Sequence, residues 1–321
     1  MTSTSPHATG FFFHAECSLH NMGAGHPECP ERLDAITERL QAEGLRDLLA
    51  YEEAPAIEER QLLLAHTPAY VAHVKAQAAR LSLADGRAPP WIELDPDTRM
   101  NAHTWAAASR AAGAAVAAVD AVLDARLRHA FCGVRPPGHH ATRDAAMGFC
   151  VFSNVALAAK HAVVNRGLSR VAIVDFDVHH GNGTEDIVAG DERIEMMSFY
   201  QSPFYPNTDA SGAKNMHNTP VPAHTSAAEV RAIVSNSWLP RLAAFRPELI
   251  LISAGFDAHR DDEIAQLGLL ESDYAWITAQ LCAVADTHAH GRIVSCLEGG
   301  YHLQALAKSV ASHLRVLVDL G

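Results

Sequence analysis

Arg170-Val-Ala-Ile-Val-Asp-Phe-Asp-Val-His-His-Gly-Asn-Gly-Thr184 is the stretch of sequence that decides the fold. It begins with the β-branched apolar run Val171–Val174, which predicts a short buried strand. If the backbone stays extended beyond this run, the two-residue period of a strand places Asp175, Asp177 and His179 on one side. A polar turn that merely caps the strand is the alternative, but two acids, two histidines and two glycines together favour a functional site.

The composition indicates a globular protein with a large core. Of its 321 residues, 48% are hydrophobic and 19% are charged, and α/β folds of this length often form one domain. The chain carries 25 basic and 37 acidic residues, a formal charge of −12. Because Lys and Arg carry the binding to nucleic-acid phosphates, we expect no direct nucleic-acid partner. The same negative charge does not hinder binding of a basic peptide or a polyamine.

The cysteines and the N-terminus indicate a reduced, soluble protein. The six cysteines are dispersed without a Cys-x-x-Cys pair, which argues against a disulfide framework and a cysteine-built zinc site. No basic segment precedes an apolar stretch at the N-terminus, and no run approaches the ~18 apolar residues of a membrane span. We therefore expect a cytoplasmic protein that spans no membrane. Residues 1–9 are predicted to be disordered, and the sequence leaves a homo-oligomer open.

Strands alternate with helices along the chain, which predicts an α/β fold with a mostly parallel central sheet and helices on both faces. No linker-like shift and no repeat interrupts this pattern, so residues 10–321 are predicted to form a single domain. Unusual residues follow the predicted strands that end near Val134, Val174, Ser253 and Leu297. Ligand sites in open α/β sheets lie at the carboxyl ends of the strands, where we expect the site. Residues 201–224 are predicted to be a long loop.

The residues at these strand ends suggest a catalytic metal site. Asp257 would complete a three-ligand set with Asp177 and His179, and three protein ligands plus a water are typical of catalytic zinc. Such a zinc polarises a carbonyl and lowers the pKa of its water, so that an amide or an ester can be attacked. His139 and His140 could supply the base, since the unperturbed pKa of an imidazole is near neutrality.

Further residues could support this chemistry. Asp175 and Asn182 are the available acceptors to orient the two imidazoles. Tyr301 could donate a hydrogen bond to the oxyanion, and Gly299-Gly300 would let the backbone approach without a side chain in the way. Each part has a structural alternative: a histidine turn, a glycine packing motif or a helix cap. Their joint occurrence at strand ends favours the catalytic interpretation.

Four motifs stand at the predicted strand ends: Arg135-Pro-Pro-Gly-His-His-Ala, Asp175-Phe-Asp-Val-His-His-Gly-Asn-Gly-Thr, Ser253-Ala-Gly-Phe-Asp and Leu297-Glu-Gly-Gly-Tyr. Together they resemble the zinc-dependent histone deacetylase family, most closely its class II-like bacterial deacetylases and amidohydrolases. The resemblance runs from Gly25 to the C-terminal helix and implies an arginase-like α/β fold. It implies zinc on Asp177, His179 and Asp257, with His140 as general base and acid, His139 as its partner and Tyr301 as oxyanion donor. It also implies that Asp175 and Asn182 orient the histidines.

The resemblance also implies a substrate tunnel. Phe149, next to Gly148, matches an aromatic residue that lines the acyl-lysine tunnel, and Tyr205 is the expected facing wall, with Phe204 beside it as the alternative. Polyamine-selective relatives place a glutamate at the tunnel rim, where this chain has the apolar Ile264, one residue after Glu263. The family further implies a structural K⁺ or Na⁺ site, built from Asp175, Asp177, His179, Ser198 and Phe199.

Two departures from related proteins bear on the chemistry. Asn182 stands where some relatives carry an aspartate, so its histidine partner is expected to be less readily protonated. The related arginases need further carboxylates for a second metal at positions that hold Gly181 and His259 here, which disfavours a binuclear site.

The function expected from these observations is a zinc hydrolase that removes acetyl or other acyl groups from acylated lysine in a peptide or protein. One alternative is an amidohydrolase acting on acetylated polyamines or other small amides. Another, from a different class, is a protein that binds acyl-lysine without turnover, although such a protein needs no general base.

Overall fold

A computed structural model describes residues 9–82, 90–208 and 210–320. The chain forms an α/β domain around a sheet of eight strands, and every pair of neighbouring strands is parallel. A separate antiparallel hairpin consists of β3 (Ile92–Asp95) and β4 (Thr98–Met100). The sheet strands are β1 (Thr9–Phe13), β2 (Leu49–Glu53), β5 (His129–Cys132), β6 (Val171–Asp175), β7 (Ile194–Gln201), β8 (Met216–Val221), β9 (Leu249–Ala254) and β10 (Ile293–Leu297).

Helices cover both faces of the sheet and create two hydrophobic cores. One core lies under α3, α4 and α5, and the other under α1, α8, α9 and α10. This arrangement confirms the predicted fold class. The helices are α1 (Glu31–Ala42), α2 (Glu59–Leu62), α3 (Pro68–Leu81), α4 (Thr104–Leu123), α5 (Asn154–Val164), α6 (Asn182–Val188), α7 (Ala227–Ile233), α8 (Leu239–Phe245), α9 (Glu271–His288) and α10 (Leu303–Leu317).

The order of the strands brings the predicted motifs together. The sheet runs β2-β1-β5-β10-β9-β6-β7-β8, so the four strands that precede the motifs, β5, β10, β9 and β6, are consecutive neighbours. Asp175 at the end of β6 pairs in register with Ser253 on β9, and Leu297 on β10 pairs with Ala254. Because all these strands run the same way, the segments that follow them meet at one edge of the sheet.

The structure corrects several predictions in detail. The predicted loop 201–224 contains β8, an edge strand whose polar residues and Pro220 gave no strand signal; an edge position tolerates proline because one side of the strand makes no ladder. Residues 1–8 of the segment predicted to be disordered lie outside the described residues, whereas Thr9 belongs to β1. Among the described residues, α4 is long and apolar enough to cross a membrane, but 72% of its apolar window is buried inside the protein, as in a core helix.

Candidate metal centre and active site

Asp177, His179 and Asp257 meet at the carboxyl ends of β6 and β9. His179 Nδ1 lies 3.0 Å from Asp177 Oδ1 and 3.1 Å from Asp257 Oδ2. All three residues are buried, and one donor atom from each lies within 4.8 Å of the others. The chain leaves β6 after Asp175 and bends from Asp177 to His179, where the His179 amide donates to Asp177 Oδ1 at 2.8 Å. This bend, rather than the extended backbone assumed from the sequence, brings the two side chains together, and the segment after β9 supplies Asp257.

Backbone groups hold the two carboxylates in place. The Gly299 amide donates to Asp177 Oδ2 at 2.8 Å, and the Val178 amide donates to Asp257 Oδ1 at 2.9 Å. The glycines matter here because of close approach: a Cβ on Gly255 would lie 2.1 Å from Asp177 Oδ2. Each carboxylate is therefore oriented by the protein, without help from a bound ion.

The triad fits a divalent cation. His179 Nδ1 is shared between Asp257 Oδ2 and Asp177 Oδ1, at 3.1 and 3.0 Å. Its single proton cannot satisfy both buried oxygens, which is costly unless a cation does so. Burial and the nearby Asp177 charge raise the pKa of Asp257 to about 6. Although burial opposes the imidazolium, the carboxylates of Asp177 and Asp257 raise the pKa of His179 to about 9. Both pKa values are raised, so both groups hold a proton more tightly than usual, which means that the triad attracts positive charge.

The two predicted histidines lie beside the triad with their rings 4.0 Å apart. His139 Nδ1 donates to Asp175 Oδ2 at 3.0 Å, whereas His140 Nδ1 donates to Asn182 Oδ1 at 2.8 Å. Both are buried in the turn that follows β5. The Nδ1 donation leaves Nε2 of a neutral His140 as a proton acceptor.

Their different partners separate the pKa values of the two imidazoles. Burial opposes protonation of His139, but the carboxylates of Asp177 and Asp175 prevail and raise its pKa well above the ordinary value. Burial and the neighbouring charge on His139 lower the pKa of His140 well below that value. These shifts favour the imidazolium form of His139 and the neutral form of His140, whose Nε2 can accept a proton.

Tyr301 lies in the segment after β10. Burial, followed by the charge of Asp257, raises the pKa of its hydroxyl well above the ordinary value, so the hydroxyl stays a donor. The Arg32 guanidinium lies 5.1 Å from the centre of the Tyr301 ring. Its Nε donates to Gly300 O at 2.7 Å, which fixes the chain immediately before the tyrosine.

Aromatic residues surround the approach to this centre. The Phe149 ring meets the Tyr301 ring edge-on at 5.8 Å between ring centres. Tyr205 meets His140 edge-on at 5.2 Å, and Phe204 stacks on His179 at 5.2 Å. The predicted wall residue Tyr205 and its alternative Phe204 thus both contact histidines of the site.

The other predicted residues lie at different distances from the centre. Gly148, with a positive φ of 56°, approaches His140 so closely that a Cβ would lie 2.3 Å from its ring. Ile264 borders a cavity of about 290 Å³ together with Tyr301 and Glu263. Ser198 is buried on β7, in register with Asp175, and its hydroxyl donates to Asn218 Oδ1 at 2.9 Å.

The remaining positions in the cation and second-metal predictions are also defined. Phe199, the last residue of the predicted K⁺ or Na⁺ set, is fully buried and stacks on Trp238. At Gly181 a Cβ would lie 2.3 Å from Asp175 Oδ2, so a carboxylate does not fit there. His259 is buried, and its Nε2 lies 3.5 Å from Glu271 Oε2. Neither position supplies a second-metal carboxylate.

Sequence reasoning missed three parts of the site. The fully buried Glu298 carboxylate accepts from the backbone amides of Gly138 and His139, at 2.6 and 3.1 Å. Burial raises the Glu298 pKa to about 7. Asp97 accepts from the Gly148 amide at 3.1 Å, so the turn between β3 and β4 holds the segment that carries Phe149.

The third part is a buried ionic cluster behind Tyr301. Glu28 binds the guanidinium groups of Arg32 and Arg135, and all three side chains are inaccessible to solvent. The i, i+4 spacing of Glu28 and Arg32 on the way into α1 was a readable signal for the first pair. The approach of Arg135 from the turn after β5 depends on tertiary structure.

Comparison with known proteins agrees with this geometry. The histone deacetylase domain model matches residues 26–317. The chain is 34% identical over 319 residues to the histone deacetylase-like amidohydrolase of Pseudomonas aeruginosa, covering 91% of this chain and 81% of that protein. It is 38% identical over 307 residues to polyamine deacetylase HDAC10 of Mus musculus, covering 91% of this chain and 45% of that protein. The crystal structure of the HDA15 HD domain is similar, with a TM-score of 0.88 and 31% identity, covering 98% of this chain and 90% of that one. The chain therefore belongs to the histone deacetylase family.

Proposed function

We propose that this protein is a zinc-dependent hydrolase that removes acetyl or other acyl groups from acylated lysine or a related amine. The observation that carries the proposal is the convergence of Asp177, His179 and Asp257 beside two imidazoles with different partners. Zinc accepts carboxylate and imidazole ligands, and three protein ligands leave one position open. Similarity to a protein named an amidohydrolase supports the same bond class.

The chain's own residues would supply the proton transfers. Zinc held by the triad would polarise the amide carbonyl and lower the pKa of a water in the open position. His140 is neutral, donates Nδ1–H to Asn182 and can accept the proton of the attacking water through Nε2. His139, whose Nδ1 donates to the Asp175 carboxylate, would stabilise the negative charge that develops beside it.

Tyr301 would complete the reaction as the oxyanion donor, because its raised pKa keeps the hydroxyl protonated. The C–N bond then breaks as His140 gives its proton to the amine nitrogen. Water has thereby supplied the hydroxyl group of the released acid and the added proton of the amine. No covalent intermediate with the protein is needed.

Zinc content and turnover of a fluorogenic acetyl-lysine peptide test the proposal together. We expect about one zinc per chain, loss of turnover after chelation and its return when zinc is added. Binding of the peptide without turnover in the zinc-loaded protein would instead identify an acyl-lysine binding protein. Turnover that survives complete removal of metal would contradict the proposal.

An acetylated polyamine is the second candidate substrate. The similarity to polyamine deacetylase HDAC10 favours it, and so does Glu263, which borders the cavity beside Tyr301. A carboxylate there suits a second ammonium group on the substrate. We expect Glu263→Gln to lower kcat/KM for an acetylated polyamine more than for a neutral acetyl-lysine peptide. Glu192→Gln, at an exposed acid before β7, is the matched control, and equal effects on both substrates would argue against the polyamine.

We also propose a structural K⁺ or Na⁺ site on Asp175, Asp177, His179, Ser198 and Phe199. The register of Asp175 with Ser198 supports it, since it places a carboxylate and a hydroxyl on adjacent strands. Thermal unfolding in KCl, NaCl and a bulky organic chloride at equal ionic strength tests the proposal. Equal melting temperatures in all three salts would contradict it.

A further inference from the structure

The segment Glu298–His302, which carries Tyr301, is held by hydrogen bonds from both sides. On the inner side, Arg32 Nη2 donates to Glu298 O at 2.5 Å and Arg32 Nε donates to Gly300 O at 2.7 Å. The Gly299 amide donates to Asp177 Oδ2 at 2.8 Å. These contacts fix the segment up to Gly300, whose φ of +119° makes the chain turn just before Tyr301.

Beyond that turn, Asp262 holds the backbone amides of the next two residues. Its Oδ2 accepts from the Tyr301 amide at 2.6 Å and from the His302 amide at 3.1 Å. Its Oδ1 accepts from the Ile264 amide at 3.1 Å. One carboxylate thus joins the residue that carries the hydroxyl to the loop that borders the cavity beside it.

The surroundings of Asp262 indicate that this anchoring is its role. The residue is only 4% exposed, and no lysine, arginine or histidine forms an ion pair with it within residues 9–82, 90–208 and 210–320. Its carboxylate instead accepts from the backbone amides of Tyr301 and His302, immediately before α10, and from that of Ile264. A buried carboxylate with this set of partners is costly to place unless the geometry it fixes is needed.

We propose that Asp262 is a positioning residue for Tyr301, setting the distance between its hydroxyl and the oxyanion. The inference rests on the proposed function, in which Tyr301 is the oxyanion donor. An oxyanion donor acts within a narrow range of distances, and a displacement of about 1 Å near the reacting atoms can cost about 10²-fold in rate. Loss of the carboxylate leaves two amides unpaired and frees the segment after Gly300 to move.

Asp262→Ala and Tyr301→Phe, alone and combined, test the inference on the zinc-loaded protein. We expect Asp262→Ala to lower kcat by about 10-fold to 10²-fold with KM little changed and zinc retained. In the Tyr301→Phe background the same change should cost less than about 3-fold, because the hydroxyl that it positions is already gone. Asp261→Ala, at the exposed neighbouring acid, is the matched control and should keep wild-type kcat.

Asp262→Asn keeps one acceptor oxygen for the Tyr301 and His302 amides, so it should retain more kcat than Asp262→Ala and should fold if the alanine variant does not. The inference would be overturned if Asp262→Ala, or Asp262→Asn, lowered kcat by the same factor in the wild-type and Tyr301→Phe backgrounds. That result would indicate a general structural effect. Slow turnover in Tyr301→Phe with normal turnover in both Asp262 variants would overturn the inference alone. Normal turnover in Tyr301→Phe would overturn the role of Tyr301 in the proposed function, and the inference with it.

Discussion

Replacement of Gly299 by alanine is the change that most directly tests the geometry of the metal centre. A Cβ at this position would lie 2.1 Å from Asp257 Oδ2 and 2.6 Å from Asp177 Oδ2, where ordinary contacts begin at 3.4 Å. The Asp257 carboxylate would have to move by about 1.3 Å to restore an ordinary contact. Both side chains are buried, so neither can turn away into solvent.

The size of this displacement sets the expected effect. Metal–ligand distances tolerate only about ±0.2 Å, and a misplacement of about 1 Å near the chemistry can cost about 10²-fold. We therefore expect Gly299→Ala to weaken zinc binding and to lower kcat/KM for an acetyl-lysine peptide by about 10²-fold or more. The variant should still fold, because the change lies after β10 and leaves the sheet intact.

Zinc affinity by competition with a chelator, turnover and thermal unfolding measure these effects separately. Gly268→Ala is the matched control, because a Cβ there would meet nothing within 4 Å and the position is exposed. It should match the wild type in all three measurements. If Gly299→Ala binds zinc with normal affinity and turns over normally, the carboxylates of Asp257 and Asp177 do not occupy the positions described here.

Three further predictions concern individual side chains. Asp257→Ala should lose metal and activity together; stoichiometric zinc with normal turnover would remove Asp257 from the site. Tyr301→Phe should keep fold and zinc while slowing kcat by about 10²-fold or more, as loss of one oxyanion donor does; unchanged kcat would mean that Tyr301 only packs. His140→Ala should be nearly inactive and His139→Ala less impaired. Asn182→Asp should stabilise the His140 imidazolium, raise its pKa and so move the acidic limb of the kcat/KM pH profile to higher pH. If His139→Ala is the more impaired variant and Asn182→Asp leaves the acidic limb in place, the roles assigned to His139 and His140 are reversed.

The sheet and the metal triad were accessible from the sequence for a physical reason. Strands buried in a parallel sheet are mostly apolar and often rich in β-branched residues, as in Val171–Val174, so a cluster of acids and histidines stands out where such a run ends. The Asp-Val-His motif then supplies two donors close together along the chain. Asp257 follows another apolar strand in the same manner, so its meeting with Asp177 required only that β6 and β9 be neighbours.

The roles of Glu298 and β8 could not be predicted in this way. Glu298 belongs to the motif Leu297-Glu-Gly-Gly-Tyr, but its contacts with Gly138 and His139 exist only because β10 lies beside β5. Strand order is a property of the whole chain and leaves no local pattern. In β8, the polar residues and Pro220 are compatible with a loop, and only the pairing with β7 makes the segment a strand.

The charge balance of the site emerges only when these contacts are combined. Asp175, Asp177, Asp257 and Glu298 are all fully or almost fully buried within one crevice, and it is strongly unfavourable for four such carboxyl groups to be ionised together without compensation. Part of the compensation comes from a proton on His139, whose pKa is raised. A cation bound by the triad would supply the rest. A metal ion at the triad therefore relieves a repulsion that the folded chain already contains. The negative charge that raises the pKa of His139 thus also favours occupation of the metal centre.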